Sequence, residues 1–158
     1  MTNLDTALAR FSPVQAEPAG DAEHLARIAT LQARMLADAI AAVWLDASSS
    51  LTYYTGLTLG LSERIHGALI PAQGPLTYVT PAFEEPKLRA FMRLPGEVTV
   101  WEEDEDPFAL IADRVPGPIA IDPATPYRFT AGLMAAGARV VPAEPLIATQ
   151  RRVKSPAE

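Results

Sequence analysis

A single α/β domain with a mixed, mostly parallel six-stranded sheet flanked by helices is the fold class that this 158-residue sequence predicts. Three observations carry that prediction. Short apolar runs alternate with segments of helical period along most of the chain. One pair of runs is joined by a proline-glycine turn, which demands an antiparallel hairpin. The other runs are separated by single helical segments, which favour parallel crossovers. A chain of this size supports one core, burying about 68 to 70% of its unfolded surface.

The elements follow in order. Leu4, Leu8 and Phe11 have the spacing of a short amphipathic turn, but Pro13, Pro18 and Gly20 interrupt it, so residues 1–20 read as an arm. Asp21 is a suitable N-cap, and Leu25, Ile28, Gln32, Met35 and Ala39 trace a helical stripe over roughly 22–39. Ala41 to Leu45, ending in Asp46, suits a strand buried on both faces, with Trp44 in the core. Ser50 is placed to cap a short helix through Tyr53 and Tyr54 that stops at Gly56. Arg64 to Ile70 and Leu76 to Thr80 form the hairpin across Pro71-Ala-Gln-Gly-Pro75.

Beyond the hairpin the alternation continues. Glu85 to Met92 is a helix, Glu97 to Trp101 a strand, and Pro107 to Asp113 a helix capped by Asp106 with proline at its first position. Ile119 to Asp122 is a strand, Tyr127 to Ala136 a helix closed by Gly137, and Arg139 to Val141 the sixth strand. Residues 21–145 thus make the domain and residues 146–158 read as a linker. Within that linker Ser155, Pro156 and Glu158 have the pattern of a capping box, which predicts a further helix and hence more chain beyond.

Composition narrows the function. Hydrophobic residues make up 49% and charged residues 20%, as in ordinary globular domains and unlike disordered or fibrous chains. Thirteen Lys and Arg against nineteen Asp and Glu give a net charge of -6, the wrong sign for a nucleic-acid partner. The absence of cysteine removes disulfides, thiolate metal sites and a cysteine nucleophile, and fits a reducing, cytoplasmic setting. Neither a signal-peptide pattern nor a run of about 18 apolar residues occurs, which points away from export and from the membrane.

Motifs that carry chemistry are scarce. Dinucleotide, P-loop, zincin, EF-hand and serine-hydrolase signatures are absent. His24 and His66 are the only imidazoles, too few for a zinc site without carboxylates. The run Trp101-Glu-Glu-Asp-Glu-Asp106 could attract a hard cation, yet acids ahead of a helix also stabilise its N-terminus, which accounts for them without a metal. Asp46 and Asp122 each end an apolar strand, where ligands of open α/β sheets gather, and where Asp is also a common turn former. No catalytic residue and no metal ligand is assigned.

Five pieces of sequence, taken in order, resemble the N-terminal domain of the prolidase, aminopeptidase P and creatinase family. They are Arg27 with the helix around it, Ala42-Val-Trp-Leu45, Tyr53-Tyr-Thr-Gly56-Leu57, Glu63-Arg64, and Arg151-Arg-Val-Lys-Ser155. The resemblance covers about residues 22–158. It implies a creatinase-like N-terminal fold, a role as the non-catalytic domain of an Xaa-Pro dipeptidase or aminopeptidase, and a pita-bread catalytic domain following in the same polypeptide. In that family the catalytic domain holds two divalent metals, here Mn, Co or Zn, and the resemblance implies no cofactor in this chain itself.

The resemblance further implies a homodimer or larger assembly, in which the N-terminal domain packs near a neighbouring subunit's active site and limits substrate size. It places Arg64 eight residues after Gly56, where creatinase uses an arginine for the substrate carboxylate. His66 and Tyr54 join Arg64 as expected substrate-contacting residues. Ser62 stands where creatinase carries an aromatic, which departs from the creatine-binding pattern. A free-standing α/β binding module without activity is the alternative, separated from the first reading by the length of the reading frame.

Overall fold

Alternation of side chains along the central strand explains the layering. The computed structural model describes residues 17–155. Its first strand, β1 (Ala42–Asp46), is buried along its whole length. Val43 and Leu45 point into one apolar cluster with Ala68, Ile70, Tyr78 and Ala120, whereas Ala42 and Trp44 point into another with Leu69, Val79, Ile119 and Ile121. A strand apolar on both faces needs helices on both, and the chain supplies them. The first cluster is covered by α1 (Asp21–Ala37), α2 (Ser49–Thr55) and α6 (Glu144–Arg152). The second is covered by α4 (Pro107–Ala112) and α5 (Tyr127–Ala135).

The remaining elements are β2 (Gly67–Pro71), β3 (Thr77–Pro81), a 3-10 turn at Ala82–Glu84, α3 (Glu85–Phe91), β4 (Glu97–Trp101), β5 (Ile119–Ile121) and β6 (Val140–Pro142). The sheet order is β4-β3-β2-β1-β5-β6. The pairs β1–β5, β3–β4 and β5–β6 are parallel, and β1–β2 and β2–β3 antiparallel, so the sheet is mixed and mostly parallel as the sequence predicts. The hairpin turn uses Gly74 at φ +95, a conformation open to glycine and costly for other residues.

Three local expectations require correction. The cap of α2 is Ser48, whose Oγ accepts from the N–H groups of Ser50 and Leu51 at 3.2 Å each, so Ser50 lies inside the helix. The strand expected from Arg64 begins three residues later, at Gly67. Asp46 is the last residue of β1 and pairs with Gly67, which leaves Arg64–His66 no neighbouring strand to bond. Residues 146–152, read as linker, form most of α6, with Leu146 and Ile147 buried against the core. The amphipathic turn at Leu4–Phe11 and the Pro156–Glu158 part of the expected capping box lie outside the described residues.

Candidate functional site

Carboxyl ends of parallel strands gather polar groups, because the backbone there leaves the sheet and its donors and acceptors need new partners. Arg64 and His66 stand at this edge, on the segment entering β2. Their backbone is held by the Trp101 indole, which donates to Ile65 O at 3.2 Å. Both side chains meet the 3-10 turn: the Arg64 guanidinium lies 5.2 Å from the Phe83 ring centroid, and His66 Nδ1 lies 3.3 Å from Glu84 Oε2. His66 is buried, and its Nε2 donates to Gly60 O at 2.9 Å.

Arg64 is the accessible member, with 43% of its side chain exposed. Its Nε donates to Glu103 Oε1 at 2.6 Å, and this bond, with the charge of Glu103, holds the guanidinium pKa above its ordinary value. Among the described residues, Nη1 and Nη2 of Arg64 make no hydrogen bond. The outer edge of the fork is therefore open to a planar anion.

Tyr54 is placed differently from Arg64. It is fully buried, and its hydroxyl donates to Gln150 Oε1 at 3.1 Å, so a ligand could reach it only by displacing α6. Burial, reinforced by the adjacent Tyr53, pushes its phenol pKa well above the usual range. The structure gives Tyr54 a tie between helices and brings only Arg64 and His66 together.

The two aspartates do not form a shared site. Asp122 Oδ2 accepts from Ser48 Oγ at 2.6 Å and its Oδ1 from Ala124 N at 3.2 Å, an arrangement that shapes the turn after β5. Asp46, on the opposite face of the sheet with Trp44, accepts from Ala47 N at 2.9 Å through Oδ1, while its buried Oδ2 has no hydrogen bond. Burial raises the Asp46 pKa, against the pull of the Ala47 N–H and of His66. The acidic run is likewise accounted for locally. Asp106 caps α4 through Phe108 N and Ala109 N, Glu105 accepts from Glu102 N, and Glu103 serves Arg64. Among the described residues no cluster of three or more His, Asp or Glu side chains could hold a metal, so the two-metal centre finds no fit here.

Sequence reading missed Phe83, Glu84 and Glu103 as neighbours of Arg64. Only the acidic run around Glu103 carried a signal, and its link to Arg64 spans 39 residues. No helix among the described residues is long and apolar enough to cross a membrane.

Comparison with known proteins matches this geometry to a family. Residues 27–153 match the model described as the creatinase/prolidase N-terminal domain. An uncharacterised peptidase of Schizosaccharomyces pombe is 29% identical over 143 residues, 81% of this chain and 32% of that protein. The chain thus spans about a third of the curated relative it matches. Among solved structures, the dipeptidase PepE of Mycobacterium ulcerans superposes with a TM-score of 0.79 at 24% identity, covering 88% of this chain and 39% of that one. Prolidase from Thermococcus sibiricus gives 0.71 at 24% identity, covering 84% and 38%. The creatinase/prolidase N-terminal domain of an X-Pro dipeptidase from Streptococcus pyogenes gives 0.66 at 14% identity, covering 78% and 98%. At these identities the structural likeness speaks for the fold.

Proposed function

The chain belongs to the creatinase/prolidase N-terminal domain family, and on that premise we propose that it is the non-catalytic domain of a metal-dependent Xaa-Pro dipeptidase or aminopeptidase. In this reading the metals, Mn, Co or Zn, sit in a catalytic domain of the same polypeptide. The present domain contributes to assembly of a homodimer or larger oligomer and to recognition of the peptide substrate. The solved relatives that extend well beyond the aligned region support it, since this chain covers 39% of the Mycobacterium ulcerans dipeptidase and 38% of the Thermococcus sibiricus prolidase.

The observation that carries the recognition role is the open outer edge of Arg64. Glu103 fixes the inner Nε and Phe83 supports the face, while both terminal amino groups remain unbonded among the described residues. A peptide carboxylate is planar and presents two oxygens at the spacing of that edge, a match that Lys cannot supply. His66, locked between Gly60 and Glu84, keeps the supporting segment in place.

The test is kinetic and uses the longer protein. Arg64→Ala should raise KM for Xaa-Pro dipeptides by about tenfold or more, with thermal stability and oligomeric state unchanged. Unchanged kinetics across a dipeptide series would remove Arg64 from the site.

A further inference from the structure

A second polar concavity lies away from Arg64, between α1, α2 and α6. It encloses about 540 Å³ and is lined by His24, Arg27, Tyr53, Gly56, Arg93 and Arg151, with other residues at its rim. Cationic side chains converge on the Tyr53–Gly56 turn. The Arg27 guanidinium lies 3.9 Å and that of Arg151 6.0 Å from the Tyr53 ring centroid. Arg27 and His24 both bond the Tyr53 carbonyl, at 2.9 Å each. At Gly56 a Cβ would stand 2.8 Å from Arg93 Cδ and 3.0 Å from His24 Nε2, so both side chains press against this glycine.

The partners of these groups leave positive charge over. Arg27 is paired with Glu23, and Arg93 with Asp21 at 2.9 Å. Arg151 instead donates to two hydroxyls, Ser50 Oγ at 3.0 Å and Ser49 Oγ at 2.9 Å, and to no carboxylate among the described residues. Three guanidinium groups therefore face two carboxylates. His24 adds a second, independent sign. It is 4% exposed, and because a carbonyl only accepts, its Nδ1 carries the proton given to Tyr53 O. Its Nε2, over Gly56, makes no hydrogen bond, although buried polar atoms as a rule find partners.

We propose that this cleft is a binding site for a compact oxyanion, a phosphate group or a carboxylate, held by Arg151 and Arg93 with His24 Nε2 beside it. An enclosed guanidinium bonded only to neutral hydroxyls gains from a charged acceptor that those hydroxyls do not provide. The chain as a whole carries -6, so diffuse attraction of anions is weak and capture here is a local property of the cleft. The inference does not depend on the substrate role of Arg64.

Two histidines make the test direct, because His66 lies outside the cleft and serves as an internal control. The ring signals of both are followed by NMR while the protein is titrated with inorganic phosphate, and separately with acetate, at fixed pH and ionic strength. The His24 signal should shift and saturate with at least one anion, and the His66 signal should stay in place. Saturation with phosphate alone assigns the site to phosphoryl groups, and with acetate to carboxylates. Arg151→Met and Arg93→Met should each weaken binding at least tenfold. If Arg151→Met unfolds the chain, the more exposed Arg93 position decides. A His24 shift that stays linear to about 50 mM anion, equal movement of His66, or undiminished affinity in the folded variants would overturn the proposal.

Discussion

Tyr54 gives its buried hydroxyl hydrogen bond to Gln150 Oε1 at 3.1 Å, and the same Gln150 donates through Nε2 to Arg27 O at 2.9 Å. One amide side chain therefore joins α1, α2 and α6. Removing it strands two groups, while removing the Tyr54 hydroxyl strands only the Gln150 acceptor at the edge of α6. Gln150→Ala should lower unfolding free energy by about 1 to 3 kcal/mol, and Tyr54→Phe by about 0.5 to 1.5 kcal/mol. Urea denaturation of both variants checks the order, and an equal or reversed ranking would show that Gln150 is not the junction.

Gly67 closes the end of the β1–β2 ladder opposite Asp46, where a Cβ would stand 2.1 Å from Leu45 O and 3.1 Å from Trp44 Cζ2. Backbone cannot retreat from such an overlap without parting the strands. Gly67→Ala should cost more than about 3 kcal/mol. Gly74→Ala meets no atom within 4 Å and bears only the strain of φ +95, about 1 to 2 kcal/mol. Comparable midpoints for the two variants would contradict this packing.

Asp46 should make stability fall as pH rises. Burial lifts its folded-state pKa above the ordinary 3.8, so between the two values the folded protein holds a proton that the unfolded chain has released. Stability is then greatest below the unfolded value and declines as pH climbs through the folded one. Asp46→Asn removes this titration, and its stability should gain on the parent as pH rises from mildly acidic to neutral. Parallel stability curves, measured by denaturant titration across that range, would rule out the linkage.

Glu103 acts on substrate, in the proposed reading, only by holding Arg64 Nε. Glu103→Ala in the longer protein should raise KM for Xaa-Pro dipeptides with kcat unchanged, whereas Glu103→Gln, which keeps an acceptor oxygen, should restore it. Neither change should move the melting temperature, since exposed ion pairs contribute little. Loss of kcat in either variant would mean that Glu103 does more than orient the arginine.

The domain by itself should not hydrolyse Xaa-Pro dipeptides when Mn²⁺, Co²⁺ or Zn²⁺ is added, because no described cluster could hold a metal pair. Turnover above a metal-only blank would overturn the non-catalytic reading.

Legibility in the sequence followed the range of the interaction. The strand Glu97–Trp101 and the Asp106 cap of α4 match their expected positions, because alternation and capping are decided within a few residues. The start of β2 was missed because it depends on where β1 stops. Helix α6 was missed because Leu146 and Ile147 are only two apolar residues, and its polar anchors lie far off: Arg34 bonds Leu146 O at 2.7 Å across 112 residues. The site shows the same division. Arg64 was found by its spacing from Gly56, whereas the burial of Tyr54 and the bond to Glu103 exist only once the sheet has brought distant segments together.

The fastening of α6 onto α1 bears on the order of folding. Gln150 reaches Arg27 over 123 residues, so the first described helix completes its contacts only after nearly the whole domain has emerged. At about 5 to 20 residues per second of synthesis, α1 waits several seconds for its last partner. Closing so long a loop also costs entropy before its contacts form, which slows folding. In that interval the α1–α2 surface that α6 later covers is exposed to chaperones and to wrong partners, and a nascent chain stopped before residue 146 would present it permanently.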